Sequence, residues 1–102
     1  MEVVFTIFAK QELEDASGFY ELEFTGLGKR FKAEVKAAIL RIIEYPALGS
    51  VERADMRKYL LHKFPYKLIY SIEADHIVII AIAHTHRKPE YWVAGNPDKS
   101  GD

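Results

Sequence analysis

The chain has 102 residues, 49% of them hydrophobic and 13% aromatic, which predicts one folded domain around one core and excludes general disorder. It has no cysteine, which excludes disulfide frameworks, thiolate zinc sites and cysteine nucleophiles and favours a reducing compartment. Lys and Arg total 14 against 15 Asp and Glu, for a net charge of -1, so any site for a polyanion has to be local.

The first half of the chain predicts one strand and a helical hairpin. Residues 2–8 are rich in β-branched and aromatic side chains, which is typical of a strand. Apolar residues recur every three or four positions across 9–24 and again across 27–42, which predicts two amphipathic helices. Gly26 and Gly28 separate the two helices, and Tyr45-Pro46 ends the second.

The second half predicts a meander. Residues 46–55 contain Pro, Gly, Ser and Asp and are predicted to form a loop. Three β-rich runs follow, at 56–64, 66–73 and 76–84, with connections short enough to require antiparallel neighbours. Every residue from Ile77 to Ala83 is apolar, which indicates a central strand covered on both faces.

These elements predict an α+β fold with the order β-α-α-β-β-β. The helical hairpin packs on one face of a mostly antiparallel four-stranded sheet, because both apolar helix stripes need a partner, and the first strand joins an edge of the sheet. We expect the domain to span residues 1–92 and residues 93–102 to form a polar tail. Residues 1–10 lack a signal-peptide pattern, and no apolar run approaches the roughly 20 residues of a membrane span, so we expect a soluble cytoplasmic protein.

The exit of the last strand is the candidate site. His84 is predicted to share a face with Val78, Ile80 and Ile82, and His86 to follow on that face. The same stretch continues with a guanidinium, an ammonium and a phenol, at Arg87, Lys88 and Tyr91. Such groups can bind a phosphate and move a proton. The alternative is a solvated strand exit whose aromatic residues pack back onto the sheet.

Arg57 is the strand residue that we expect to add positive charge to this site. The alternative for Arg57 is an ion pair with Glu44 or Glu52. His84 and His86 also have the i, i+2 spacing that can present two imidazoles to a metal. Nothing in the sequence selects a third ligand, and no glycine-rich phosphate loop or dinucleotide fingerprint occurs, so no metal or cofactor is predicted.

Several stretches resemble a known family. They are residues 56–70 (MRKYLLHKFPYKLIY), 79–84 (IIAIAH) and 87–92 (RKPEYW). This pattern is similar to that of the RelE/ParE superfamily of type II toxin–antitoxin toxins, especially its ParE-like branch of plasmid-stabilisation proteins. Further matching positions extend the resemblance over about residues 3–92: Ala9, Leu13, Ala16, Tyr20, Gly26-Leu27-Gly28 and Phe31.

The resemblance implies a toxin that inhibits growth through a macromolecular target and that a cognate antitoxin neutralises. Contact with operator DNA is then made only through the antitoxin, and no membrane partner is implied. ParE-like members poison DNA gyrase, whereas RelE-like members cut messenger RNA on the ribosome. The two branches share a fold, so the fold alone does not choose between these targets.

For RNA cleavage, the resemblance implies a metal-independent endoribonuclease with five candidate catalytic residues. They are His84, His86, Arg57, Arg87 and Tyr91. A third hypothesis is a degenerate, non-toxic member that retains only antitoxin binding. It is motivated by the near-neutral charge and by residues 93–96 (VAGN), where relatives commonly place a further arginine.

Overall fold

The structure is a computed structural model that describes residues 1–86. Its elements in chain order are β1 (Glu2–Phe5), α1 (Ile7–Glu23), α2 (Leu27–Glu44), one turn of 3-10 helix (Pro46–Leu48), β2 (Ser50–Arg53), β3 (Met56–Leu60), β4 (Tyr66–Ile72) and β5 (His76–His84). The predicted α+β class, with a helical hairpin on a largely antiparallel sheet, is confirmed. The predicted tail at 93–102 lies outside the described residues.

The sheet has five strands in the order β1-β5-β4-β3-β2, one more than predicted. β1 runs parallel to β5, and the other neighbours are antiparallel. The additional strand, β2, lies in the segment predicted as a loop, where Val51 pairs with Arg57 of β3. β2 is a short edge strand whose flanking residues favour turns. Its pairing with β3 therefore overrides the local sequence preference for a loop.

The predicted strand at 56–64 ends early, at Leu60, because the following residues form a turn. The Glu34 carboxylate of α2 accepts hydrogen bonds from the backbone N–H groups of His62 at 2.6 Å and Lys63 at 2.9 Å. A helix side chain thereby replaces the strand pairing that these two N–H groups would otherwise need. The turn is thus attached to α2.

Thr6 fixes the start of α1, two residues before the predicted start. Its hydroxyl accepts from the Ala9 N–H and donates to the Ile80 carbonyl, both at 3.0 Å. Thr6 is therefore both the N-cap of the helix and a link to β5.

The turn between the helices depends on glycine. Gly26 has a φ of 90°, in the left-handed region that glycine adopts without strain. A Cβ on Gly28 would lie 2.3 Å from the Ser17 carbonyl oxygen, so the close approach of α2 to α1 excludes a side chain there. Glu21 accepts from the N–H groups of Gly26 at 2.8 Å and Gly28 at 3.1 Å, which closes the turn.

The main core lies between the helical hairpin and the sheet. Its fully buried side chains include Phe31 and Ile42 of α2, and Leu68, Ile77 and Ile79 of the sheet. A cluster of aromatic rings, with neighbouring centroids 4.9–6.1 Å apart, closes one end of this core and is formed by Tyr20, Phe31, Phe64 and Tyr66. The cluster lies next to the candidate site.

A bulge in β5 changes which residues face the helices. Ile69 of β4 pairs with Ala81, whereas the next residue of β4, Tyr70, pairs with Ile79. The extra residue, Ile80, reverses the alternation of side chains. Ile79 and Ile82 consequently both lie in the main core.

The prediction that His84 shares a face with Val78 and Ile80 was therefore wrong. Ile80 and Val78 belong to a second cluster, on the sheet face opposite the helices. His84 follows Ile82 on the helix side, where both line one pocket with residues of α1. Because of the bulge, His84 lies beside α1 and not on the opposite face of the sheet.

Candidate functional site

His84 lies at the end of β5 beside α1, in a pocket of about 220 Å³. Two carboxylates of α1, from Glu12 and Asp15, line the pocket together with the rings of Phe19 and Tyr66. The immediate surroundings of His84 therefore include acidic and aromatic side chains.

His84 and His86 are brought together, as their positions two residues apart suggest. Their ring centroids are 5.1 Å apart, and the His84 ring makes an edge contact with Tyr66 at 5.2 Å. The His86 backbone N–H donates to His84 Nδ1 at 3.1 Å. Because Nδ1 accepts this bond, a neutral His84 carries its proton on Nε2.

Glu12 ties the site to the edge of β5. β1 ends at Phe5, opposite Ile79, so the remaining part of β5 extends beyond its neighbour. At this edge the Ile82 N–H donates to Glu12 Oε1 at 2.7 Å.

The pKa of the Tyr66 hydroxyl is raised, mainly because the group is buried and also because Glu12 is negatively charged. Tyr66 therefore stays protonated at neutral pH.

Arg57 lies at a different end of the sheet from His84. Arg57 pairs with Tyr70 of β4, whereas His84 pairs with Tyr66 of the same strand. These two pairing partners are four residues apart, or roughly 13 Å along β4. Arg57 Nη1 donates to the carbonyl oxygens of Gly49 at 2.7 Å and Ala47 at 3.3 Å. Its guanidinium thus holds the segment between α2 and β2.

Neither of the ion pairs considered for Arg57 from the sequence is formed in the described part of the chain. Glu52 instead approaches Lys58 at 3.7 Å and Lys67 at 3.9 Å. Lys58 and Lys67 pair with Ile69 and Ala83, which places this charged group on the face opposite the helices.

Tyr70 is a partner of this segment that sequence reasoning missed. Its hydroxyl donates to the Pro46 carbonyl at 2.6 Å and accepts from the Gly49 N–H at 2.9 Å. Burial raises the pKa of Tyr70, although the Gly49 hydrogen bond and the charge of Arg57 oppose that rise. No local pattern reveals this contact, because Tyr70 lies more than twenty residues from both Gly49 and Pro46 in the sequence.

Two predicted site residues, Arg87 and Tyr91, lie outside the described residues.

Among residues 1–86, no group of three or more His, Cys, Asp or Glu side chains is placed to hold a metal ion. The helices of that same range also include none with the length and apolar character needed to cross a membrane.

A second concave surface, the α2 groove, was also missed. This groove of about 830 Å³ runs between one side of α2, from Leu27 to Arg41, and the β3–β4 turn with its flanking residues, up to Pro65. The only sequence signal for it is the group of small residues Ala33, Ala37 and Ala38, which leaves space along the helix.

Comparison with known proteins decides the family. Residues 3–89 match the model of the family described as the ParE toxin of the type II toxin–antitoxin system parDE. The chain belongs to the ParE toxin family. The resemblance seen in the sequence is thereby confirmed for the ParE-like branch, and the match covers all the elements described above except the first residue of β1.

A solved structure supports the ParE-type fold. The chain from the structure described as the chromosomal ParDE TA system from P. aeruginosa aligns with a TM-score of 0.73 over 82% of this chain and 95% of that one. The two sequences are 15% identical, so the likeness shows a shared fold. No curated protein matches the chain.

Proposed function

We propose that this ParE-family toxin inhibits bacterial growth in the cytoplasm by binding a macromolecular target, with DNA gyrase as the first candidate. A cognate antitoxin neutralises it, and any contact with operator DNA is made through that antitoxin. The family match motivates the role. The observation that carries the choice of binding over RNA cleavage is the position of Arg57.

Cleavage of RNA needs positive charge where the phosphate transition state forms. Arg57, the expected source of that charge on the sheet, donates instead to the Gly49 carbonyl, roughly 13 Å along the strand from His84. The Asp15 carboxylate also lines the pocket of His84, and its negative charge opposes the approach of a phosphate. Both features favour binding of a target over hydrolysis.

The second candidate is a metal-independent endoribonuclease of the RelE type. The observation in its favour is the contact between His84, His86 and Tyr66, which groups three side chains able to exchange protons. In this hypothesis His84 or His86 is the acid or base, and Arg87 or Tyr91 supports the phosphate in place of Arg57.

Assays on the purified chain separate the two candidates. Gyrase supercoiling of relaxed plasmid is measured against increasing toxin, and translating ribosomes are probed for new messenger RNA ends by primer extension. We expect inhibition of gyrase, no new ends, and the same inhibition by His84→Gln/His86→Gln. New ends that disappear in this double variant, with gyrase unaffected, would establish the endoribonuclease instead. Activity in neither assay, with tight antitoxin binding, would indicate the degenerate, non-toxic member.

A further inference from the structure

The end of α1 exposes three large apolar side chains, which we call the α1 patch. Phe19 is 57% exposed, Leu22 is 90% exposed, and Phe24, which caps the helix, is 65% exposed. Phe19 and Leu22 are three residues apart on the helix and are therefore neighbours on its surface. Exposed apolar side chains that are grouped in this way are typical of a surface that binds a partner.

The α1 patch lies on the side of α1 that faces away from α2. The side that faces α2 is identified by Ser17, whose carbonyl oxygen lies against Gly28. Because successive residues of a helix turn by about 100°, Phe19 and Leu22 lie roughly opposite Ser17. Phe19 lines the pocket of His84, beside the end of β5. The α1 patch is thus a different surface from the α2 groove.

Negative charge borders the α1 patch. Residues 11–23 contain five carboxylates and no basic residue. Three of these carboxylates bind other parts of the fold, namely Glu12, Glu14 and Glu21. The remaining two are Asp15, which accepts a hydrogen bond from Gln11 at 2.9 Å, and Glu23. Neither has a cationic partner among residues 1–86.

The stability of α1 does not explain Glu23. It is the last residue of the helix, where the partial negative charge of the helix end disfavours a carboxylate. The last turn of α1 contains no basic residue that would offset this charge. The carboxylate of Glu23 and the exposed side chain of Leu22 next to it are both explained if a partner with apolar and basic groups covers them.

The chemistry of this surface selects a basic protein segment. Carboxylates repel nucleic acid and anionic membranes, whereas they attract Lys and Arg side chains. Asp15 and Phe19 both line the pocket of about 220 Å³ beside His84. A guanidinium can pair with a carboxylate and stack on an aromatic ring at the same time, so an arginine suits this pocket. Asp15 and Glu23 are eight residues apart, or roughly 12 Å along the helix axis.

We propose that the α1 patch binds the cellular target of this toxin, through a target segment that carries apolar residues between two basic residues. One basic residue, an arginine, enters the pocket beside Asp15 and Phe19, and the other pairs with Glu23. The apolar residues of the segment pack on Leu22 and Phe24. The proposal rests on the proposed function, because it names the surface by which the target is held.

The test uses full-length variants and three measurements. Growth arrest on expression does not depend on which protein is the target. Inhibition of supercoiling by purified DNA gyrase holoenzyme measures the first candidate target directly. Calorimetry with the protein encoded by the reading frame next to the toxin gene measures antitoxin binding, and circular dichroism establishes that each variant is folded.

Two variants of the α1 patch have matched controls. Leu22→Lys is compared with Leu40→Lys, because Leu40 is also an exposed leucine of a helix and lines neither the α2 groove nor the pocket of His84.

The charge variant is Asp15→Lys/Glu23→Lys. Its control is Glu2→Lys/Glu44→Lys, which changes the net charge by the same amount at exposed positions outside the patch.

We expect both patch variants to lose growth arrest at matched expression. The toxin concentration that half-inhibits gyrase should rise by at least about tenfold for the patch variants and by less than about threefold for the controls, because direct contacts outweigh the general field. Antitoxin affinity should stay within about threefold of the wild type in every variant. Added salt should weaken inhibition by the wild type more than inhibition by the charge variant.

Several outcomes would overturn the assignment. Full activity of both patch variants, or an equal loss in the controls, would mean that the target binds elsewhere while the toxin role itself stands. Lost antitoxin affinity with intact growth arrest would assign the patch to the antitoxin. A toxin dimer that Leu22→Lys dissociates in sedimentation, with growth arrest intact, would make the patch an interface between copies. A folded wild type that does not arrest growth would contradict the proposed function as well.

Discussion

Arg57 and Tyr70 lie opposite each other on β3 and β4, and both bind the segment that joins α2 to β2. The guanidinium of Arg57 donates to the Gly49 carbonyl, while the Tyr70 hydroxyl accepts from the Gly49 N–H and donates to Pro46. Two side chains of the sheet thus satisfy both backbone polar groups of one glycine. This arrangement gives Arg57 a structural role that its sequence position does not reveal.

Replacing Arg57 should therefore reduce stability. Arg57→Ala removes charge-assisted bonds to Gly49 and Ala47, and we expect the free energy of unfolding to fall by about 1–3 kcal/mol in urea denaturation. Activity per folded molecule should remain close to that of the wild type. A folded Arg57→Ala with unchanged stability and no activity would instead support a role in the chemistry.

Two glycine substitutions should have opposite effects. A Cβ at Gly49 would lie 2.5 Å from the Lys58 carbonyl oxygen and 2.8 Å from Tyr70 Oη, so Gly49→Ala should lower the melting temperature. Gly18 lies within α1 with nothing within 4 Å of such a Cβ, and Gly18→Ala should stabilise by about 0.5–1 kcal/mol through helix propensity. Equal melting temperatures for the two variants would contradict this packing.

Stability should decrease at alkaline pH, and Tyr70 should contribute to the decrease. Its folded-state pKa is raised above the usual value near 10.0, so the folded chain holds this proton at pH values where the unfolded chain releases it. The contribution is complete below that usual value and is lost as pH rises through the raised pKa. We expect Tyr70→Phe to be less stable at neutral pH, by about 1–3 kcal/mol, and to lose less stability above about pH 10.

Denaturation curves across the alkaline range check the Tyr70 effect. Tyr20 and Tyr66 also have raised pKa values, mainly through burial, so the variant should retain part of the alkaline loss. If the stability of the wild type and of Tyr70→Phe fell in parallel as the pH rises, Tyr70 would not contribute to the alkaline loss of stability.

The β3–β4 turn should depend on Glu34. Glu34→Ala leaves the N–H groups of His62 and Lys63 without their carboxylate, and we expect a loss of about 1–3 kcal/mol and faster amide exchange at both residues. Glu44→Ala, at the exposed end of α2, is the control and should change stability by less than about 0.5 kcal/mol. Unchanged exchange at His62 and Lys63 would contradict the contact.

Elements with a strong periodic pattern were predictable from the sequence. The two helices follow from apolar residues at helical spacing, and the inner position of β5, between β1 and β4, follows from its continuous apolar run. That same run conceals the bulge, because Ile80, Ala81 and Ile82 are all apolar and do not mark which face is which. The face of His84 was therefore wrongly predicted.

Long-range contacts account for what the sequence could not predict at the candidate site. The spacing of His84 and His86 correctly indicated neighbours on one strand end, since only local geometry is involved. The destination of Arg57 depends on a loop whose position is set by Tyr70, a residue with no visible link to it in the sequence. β2 likewise exists through its pairing with β3.

The decisive measurement of the toxin role is the growth of a bacterial host that expresses this chain, alone or with the protein encoded beside it. Soluble, folded expression is verified in each culture by immunoblotting and by circular dichroism of the purified protein. We expect growth to stop with the chain alone and to continue when the neighbouring protein is present. Normal growth with the folded chain alone would rule out an active toxin.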